Sequence, residues 1–529
     1  MKAVGLFVAL TAAMTWPQAR HLATHASMHK DVYFNMWRLE WFAHALTTQP
    51  ARLFDANVFY PEKGTLALSD AMPVEGLVAA PLAWAGVRPV LLHNLLLLGA
   101  IALSGAAMFC LARYLTGSRG AGVVAGIIFA FAPYRFEHVM HMELQWTMWM
   151  PLAFLALHRT LDTGEWKYGL ATGAAVALQM LSSIYYGVFL ATLLAIAAVL
   201  LIVRDRQVAL PRAAAPLAAG AALALIASTA YAQPYLRMRA RVGDRPAVEV
   251  SAFSARPISY LAATPSNWFY GRRLPRERPE RRLFPGTLAI ALAIAGLLLH
   301  PPPRRAMLYL LLAVIAFEAS LGPDGYAYSF LSAHVGIYRG LRAMARLGVF
   351  VLMFVAVLAA YGYAILAAAR RPVVRRAGLA VVSLVLLAEY KVAMDLVEFP
   401  NSPPPAYQLL ARQPRGVVAE FPVPRLDALP GDDPRYAYMS IFHWFPLVNG
   451  YSGTYPTSYL ARLDRLRGFP DEAALEQLRG DGVQYVLVHR AAYRKTELER
   501  IQTTLRASGM AELGTFSDGD GDATVFRNR

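Results

Sequence analysis

Three groups of residues in this 529-residue chain combine types and spacings that can do chemistry. The first is a single acid. Asp31 lies within Lys30-Asp31-Val32-Tyr33-Phe34-Asn35-Met36-Trp37-Arg38, shortly after an apolar run that ends at Trp16. A carboxylate among aromatic rings at that place can act as a general base, taking the proton of an acceptor hydroxyl as a lipid-linked leaving group departs. It can equally cap an interfacial helix whose Trp and Tyr anchor in headgroups. The second group is Glu137, His138, His141 and Glu143. Helical spacing sets Glu137 and His138 against His141, a set able to hold a divalent ion such as Mg or Mn against a phosphate. The alternative is a hydrogen-bonded loop buried under neighbouring segments.

The third group is arginine: Arg237, Arg239, Arg241, Arg245 and Arg256 near Trp268, then Arg272 to Arg282, then Arg339, Arg342 and Arg346. Guanidinium forks match phosphate oxygens. Arg256, Arg339, Arg342 and Arg346 are therefore assigned to a substrate phosphate, with Arg339/Arg342 and Arg342/Arg346 sharing helical faces. Most of Arg272 to Arg282 reads as solvated charge or as contact with anionic headgroups. Five aromatic residues are candidate contacts to a sugar or acceptor: Trp37, Tyr185, Tyr186, Tyr451 and Tyr455. Tyr185 and Tyr186 follow a tight break at Ser182-Ser183 between two apolar runs. Tyr451 and Tyr455 lie in Asn449-Gly450-Tyr451-Ser452-Gly453-Thr454-Tyr455-Pro456, which also suits an ordinary loop.

The elements that position these groups are mostly membrane spans. Hydrophobic residues make up 57% of the chain and charged residues 16%, against the roughly 25% charged of a soluble domain. Mean hydropathy is +0.37, so lipid must cover part of the apolar surface. About eleven runs approach the ~20 residues that span a bilayer: 2–16, 89–112, 120–133, 147–158, 168–183, 186–203, 213–231, 286–300, 306–322, 346–369 and 378–394. Basic connections with Arg113 and Arg119, Arg159 and Lys167, Arg204 to Arg212, Arg304 and Arg305, and Arg370 to Arg376 all fall on one side. The positive-inside rule makes that side cytoplasmic, so the N-terminus is inside and everything after residue 395 is outside. This topology predicts a bacterial inner-membrane protein. The first run reads as an uncleaved helix, because Pro17-Gln18-Ala19 is a poor cleavage site for a signal peptide. Residues 74–87 read as an amphipathic helix along the outer surface, since a further crossing would invert every later basic loop.

Residues 1–394 thus form a transmembrane module with a long first outer loop, 17–88, and residues 395–529 a soluble periplasmic α/β domain. Strand signals stand at 416–421 and 482–489, helical periodicity at 494–506, and a hairpin at 512–516 and 523–526. The hairpin turn Ser517-Asp518-Gly519-Asp520-Gly521-Asp522 lacks the glycine and distal glutamate of a calcium loop. The formal charge of +16 does not indicate nucleic acid here, because loops of a polytopic protein collect arginine. The single cysteine, Cys110, excludes an intrachain disulfide and a thiolate metal cluster.

This arrangement resembles the GT-C membrane glycosyltransferases, among them protein O-mannosyltransferases, aminoarabinose transferases and oligosaccharyltransferases. The shared features are an acid just past the first span, surface helices before the second, and an outer C-terminal domain. Leu53-Phe54-Asp55-Ala56-Asn57-Val58-Phe59-Tyr60-Pro61, Phe131-Ala132-Pro133-Tyr134-Arg135 and His141-Met142-Glu143-Leu144-Gln145-Trp146 are similar to bacterial multi-span proteins classed there. The resemblance implies a sugar donor on a polyprenyl phosphate, a glycan, lipid or protein acceptor in the periplasm, and an inverting transfer with Asp31 as base. Asp31 is followed by Val32, without the adjacent acid of the mannosyltransferases, and no Asp-x-Asp stands in the second outer loop. A transporter or lipid flippase is the rival reading, against which the spans hold few acids beyond Glu318 and Glu389 and no inverted repeat. A third reading is a non-catalytic assembly factor whose tail binds partners.

Overall fold

The computed structural model describes residues 2–204, 210–299, 301–517 and 522–528. The turn at 518–521 and Arg206 of the basic loop lie outside the described residues. Two compact units divide the chain: Met1–His21 with Leu95–Gln233 and Gly243–Asp395, and Leu22–Asn94 with Pro234–Val242 and Leu396–Arg529.

The first unit is helical. Helices that lie wholly or largely in it occupy the apolar runs at Lys2–Met14, Pro89–Thr116, Arg119–Phe131, Trp149–Thr163, Trp166–Ser182, Ile184–Arg204, Leu210–Val242, Thr287–Leu298, Arg304–Ser320, Gly348–Ala368 and Pro372–Tyr390. Among the described residues, four segments are long and apolar enough to cross a membrane: Pro89–Thr116, Ile184–Val203, Pro211–Val242 and Met344–Ala368. Their boundaries follow local chemistry. Ser118 Oγ accepts the Ala121 amide at 3.2 Å and starts one helix, while Gly164 in the left-handed region (φ 71°) ends another. Gly348–Ala368 is apolar on all sides and is buried almost throughout, packed by Thr287–Leu298, Arg304–Ser320 and Arg119–Phe131.

Small residues set the closest helix approaches. A Cβ at Gly173 would lie 1.9 Å from the Gly220 carbonyl oxygen, so only glycine lets Trp166–Ser182 and Leu210–Val242 meet backbone to backbone. Gly173→Leu is expected to destabilise this unit by about 3 kcal/mol or more, because neither backbone can yield. Its melting temperature in detergent should fall sharply, whereas a substitution at Gly99, where a Cβ meets nothing within 4 Å, should leave it near that of the parent.

The second unit is built on a four-stranded sheet, in the order Val417–Phe421, Val483–His489, Ala523–Arg527, Ala511–Phe516. The first pair is parallel and the other two are antiparallel. These strands lie where the sequence signals them, the first two as short valine-rich buried runs, and Lys495–Ala507 supplies the expected helix. Residues 22–94, which the sequence reading assigns to the membrane module, pack into this unit. His25–Ser27 pairs antiparallel with Leu396–Glu398. Asn57 accepts from Trp37 Nε1 at 3.1 Å and donates to Ser440 Oγ and the Phe445 carbonyl at 3.0 and 3.1 Å. Pro73–Trp84 is helical, as the amphipathic pattern at 74–87 indicates.

Candidate active site

In the second unit, Asp31 lies in the first turn of the helix Lys30–Thr48. The capping alternative is not realised: His29 is the N-cap, its Nδ1 accepting the Asp31 amide at 3.1 Å. The Asp31 side chain is buried. One carboxylate oxygen accepts the Tyr451 hydroxyl. The other lies 3.6 Å from His29 Nδ1. Burial and the Asp31 charge push the Tyr451 hydroxyl far up, so it remains a donor at any working pH. Phe34 meets the Tyr451 ring edge-on at 5.1 Å. Tyr455 stacks on Tyr459 and meets Phe59 edge-on. Trp37 is 1% exposed, between Phe34 and Trp41, with its indole N–H given to Asn57. It therefore supports the helix and offers no face to a sugar, which corrects its assignment as a contact.

In the first unit, the loop 133–146 is a buried, closed structure. Arg135 donates to the Leu144 and Gln145 carbonyls at 3.0 Å each, and Gln145 Nε2 returns to the Arg135 and His138 carbonyls at 3.0 and 2.8 Å. This clasp ends the short helix Pro133–Glu137 at once, so the helical i, i+4 relation of Glu137 and His141 does not form. His138 and His141 stack at 5.8 Å instead. Glu137 accepts from Arg282 at 2.7 Å, and His138 Nδ1 lies 4.0 Å from Glu280. Burial lowers the His138 imidazole to about 3, leaving it neutral. Among the described residues no three His, Cys, Asp or Glu side chains could hold a metal ion together. With Glu137 held by Arg282, the residues present do not fit the divalent ion considered for them, and no chemical step is derived through one.

The arginines assigned to phosphate divide. Arg346 pairs with Glu280 at 2.6 Å and lies over the Tyr185 ring at 4.8 Å. Arg342 pairs with Glu249 at 2.8 Å, and its amide donates to the Tyr185 hydroxyl at 3.1 Å. Arg339 is exposed and gives its guanidinium to the Ser332 and Ala333 carbonyls, closing the helix Tyr326–His334. Arg256 is exposed beside the turn Pro257–Leu261. No continuous helix joins Arg339 to Arg346: separate 3₁₀ turns run over Gly336–Gly340 and Met344–Leu347. The shared faces expected from spacing are absent. Tyr186 is fully buried with its hydroxyl 3.2 Å from that of Tyr134, so it too is unavailable to a sugar, whereas Tyr185 organises two arginines. Two members of the cationic run are also more than solvated charge: Arg281 is buried and donates to the Ser251 carbonyl at 2.7 Å, and Arg282 holds Glu137.

No family model matches the sequence, and no curated protein does. Among solved structures, the arabinofuranosyltransferase AftD from Mycobacteria aligns over 99% of this chain with a TM-score of 0.63 at 16% identity. The fold is that of the GT-C glycosyltransferases. The aligned region is 41% of AftD, so the chain spans about two-fifths of that protein's length. ArnT from Cupriavidus metallidurans, solved bound to undecaprenyl phosphate, aligns over 99% of this chain and 98% of its own, at 14% identity and TM-score 0.49. The oligosaccharyltransferase AglB from Archaeoglobus fulgidus, solved with an inhibitory peptide and a dolichol-phosphate, aligns over 92% and 69%, at 10% identity and TM-score 0.44.

Within this fold, sequence reasoning missed the residues that hold the candidate groups in place. Glu280 was hidden in an arginine-rich run. Asp433 was hidden in an acidic turn, yet it is fully buried, accepting from Asn449 Nδ2 at 3.0 Å and from the Tyr459 hydroxyl. Asn449 also exchanges hydrogen bonds with the Glu420 backbone, and so ties down the segment that ends in Tyr451. Burial raises Asp433 to about 7, against an ordinary 3.8, although Tyr459 and Asn449 oppose the shift. A raised carboxyl stabilises the fold while protonated, and that contribution is lost as pH climbs from about 4 to about 7. The parent should therefore lose more thermal stability than Asp433→Asn between pH 5 and pH 8, read as the difference between their melting curves.

Proposed function

We propose that the chain is a polyprenyl-phosphate-sugar-dependent glycosyltransferase of the bacterial inner membrane, transferring a sugar to a glycan, lipid or protein in the periplasm with inversion. About eleven helices would span the bilayer, with the N-terminus cytoplasmic and residues 395–529 periplasmic. The observation that carries the reading is Asp31: a buried carboxylate on a GT-C fold, in the first turn of its helix, that accepts a tyrosine hydroxyl. In the transfer, an acceptor hydroxyl oxygen attacks the anomeric carbon and its proton passes to Asp31. The bond from that carbon to the phosphate oxygen breaks, and the electron pair leaves with the lipid phosphate. Attack opposite the leaving group inverts the anomeric centre.

The test is transfer in proteoliposomes from polyprenyl-phosphate pentoses and hexoses carrying a labelled sugar. The reading expects the labelled sugar to leave its polyprenyl phosphate with one donor, and the product anomer to be opposite to the donor's. Retained configuration would refute the mechanism. Label that crosses the bilayer still attached to its lipid would favour the flippase.

A further inference from the structure

The helical unit contains a cleft of about 860 Å³ lined by the helices Pro89–Thr116, Trp149–Thr163 and Trp166–Ser182. Its size falls in the range of ligand sites, roughly 300–1,000 Å³. Phe109, Trp149, Leu152, Leu155 and Leu178 form apolar walls, and Arg113 and Arg159 join them near the last turns of two of the helices. That end carries the basic connections Arg113–Arg119 and Arg159–Lys167. Neither Asp31 nor Arg346 is among its lining residues.

The guanidinium of Arg159 is held in one place. It lies 5.1 Å from the ring centroids of both Tyr114 and Tyr168 and donates to the Tyr168 hydroxyl at 2.6 Å. Nearby acids are already matched: Asp162 takes Arg305 at 2.5 Å and the Tyr114 hydroxyl, and Glu165 takes Lys167 at 2.6 Å. Neither Arg113 nor Arg159 has an ion-pair partner among the described residues. An oriented cation and a second one beside it, above a wall of leucine and aromatic side chains, fit one chemical class: an anion that carries a long apolar chain.

We propose that this cleft is a binding site for an anionic phospholipid of the basic-side leaflet, its phosphate between Arg113 and Arg159 and its acyl chain along Leu152, Leu155 and Leu178. Tyr114 and Tyr168 stand at the level where headgroup and chain meet, the depth that tyrosine favours in membranes.

Native mass spectrometry of the purified full chain, titrated with phosphatidylglycerol or phosphatidylcholine, tests the site. The parent should bind one phosphatidylglycerol in preference to phosphatidylcholine. Removing both charges in Arg113→Gln/Arg159→Gln should weaken it roughly thirty-fold, each cation near the surface contributing about five-fold. Arg113→Lys/Arg159→Lys should keep most of the binding, which guards against misfolding of the first variant. Ala171→Trp, which fills the exposed side of the cleft, should abolish it with both charges intact. Equal uptake of the two lipids, or unchanged phosphatidylglycerol binding in the charge-removal or cleft-filling variant, would overturn the proposal. So would displacement of the lipid by millimolar glycerol phosphate, which would mark a site for a soluble anion.

Discussion

Asp31→Asn is expected to lower the rate of sugar transfer by a factor of about 10² to 10⁴, the contribution of a positioned general base. The change is nearly isosteric, and the amide oxygen can still accept the Tyr451 hydroxyl that Asp31 accepts. Expression, melting temperature and donor affinity should therefore stay close to those of the parent, with the loss confined to the chemical step. A variant that folds, binds donor and no longer turns over is the signature of a base. A variant that turns over normally would assign Asp31 to architecture alone.

Glu280→Ala should have the largest effect on stability, about 3–5 kcal/mol, because it strands the Arg346 guanidinium in a nearly buried place. Their side chains are 12% and 13% exposed and 2.6 Å apart. Burial alone would raise the Glu280 carboxyl, but the Arg346 guanidinium beside it holds it down to about 2. A lowered carboxyl stabilises fully above its ordinary value of 4.5, and the contribution disappears as pH falls from about 4.5 to about 2. The parent should therefore lose stability through that window, and Glu280→Ala should show a shallower loss. Adding Arg346→Met to Glu280→Ala should restore much of the melting temperature, since an apolar pair replaces a charged one.

Periodicity and charge made much of the fold legible. Apolar runs located the helices of the first unit, and short runs rich in valine and aromatic residues, each preceded by a glycine, located the strands Val417–Phe421 and Val483–His489, because each signal is local to its element. Asp31 stood out for the same reason, as an acid isolated among aromatics. What stayed hidden depends on distant partners. Residues 22–94 belong with the C-terminal segment through the pairing of His25–Ser27 with Leu396–Glu398 and through Asn57, and neither contact leaves a pattern in sequence. Helical spacing misled at Glu137 and His141 because the Arg135–Gln145 clasp overrides it. Arg339, Arg342 and Arg346 look alike in sequence, yet a backbone turn occupies the first and Glu249 and Glu280 occupy the others. Trp37 and Tyr186 look like sugar-stacking residues until their polar atoms are traced to Asn57 and Tyr134.

The central claim, that Asp31 is the base for attack on a lipid-linked sugar, is tested most directly by a density map of the protein with a non-transferable polyprenyl-phosphate sugar and its acceptor bound. The account predicts an acceptor hydroxyl at about 2.6–3.2 Å from the Asp31 carboxylate, or one water away, with the anomeric carbon beyond it. A sugar and acceptor bound productively with Asp31 out of reach of either, even through one water, would contradict it.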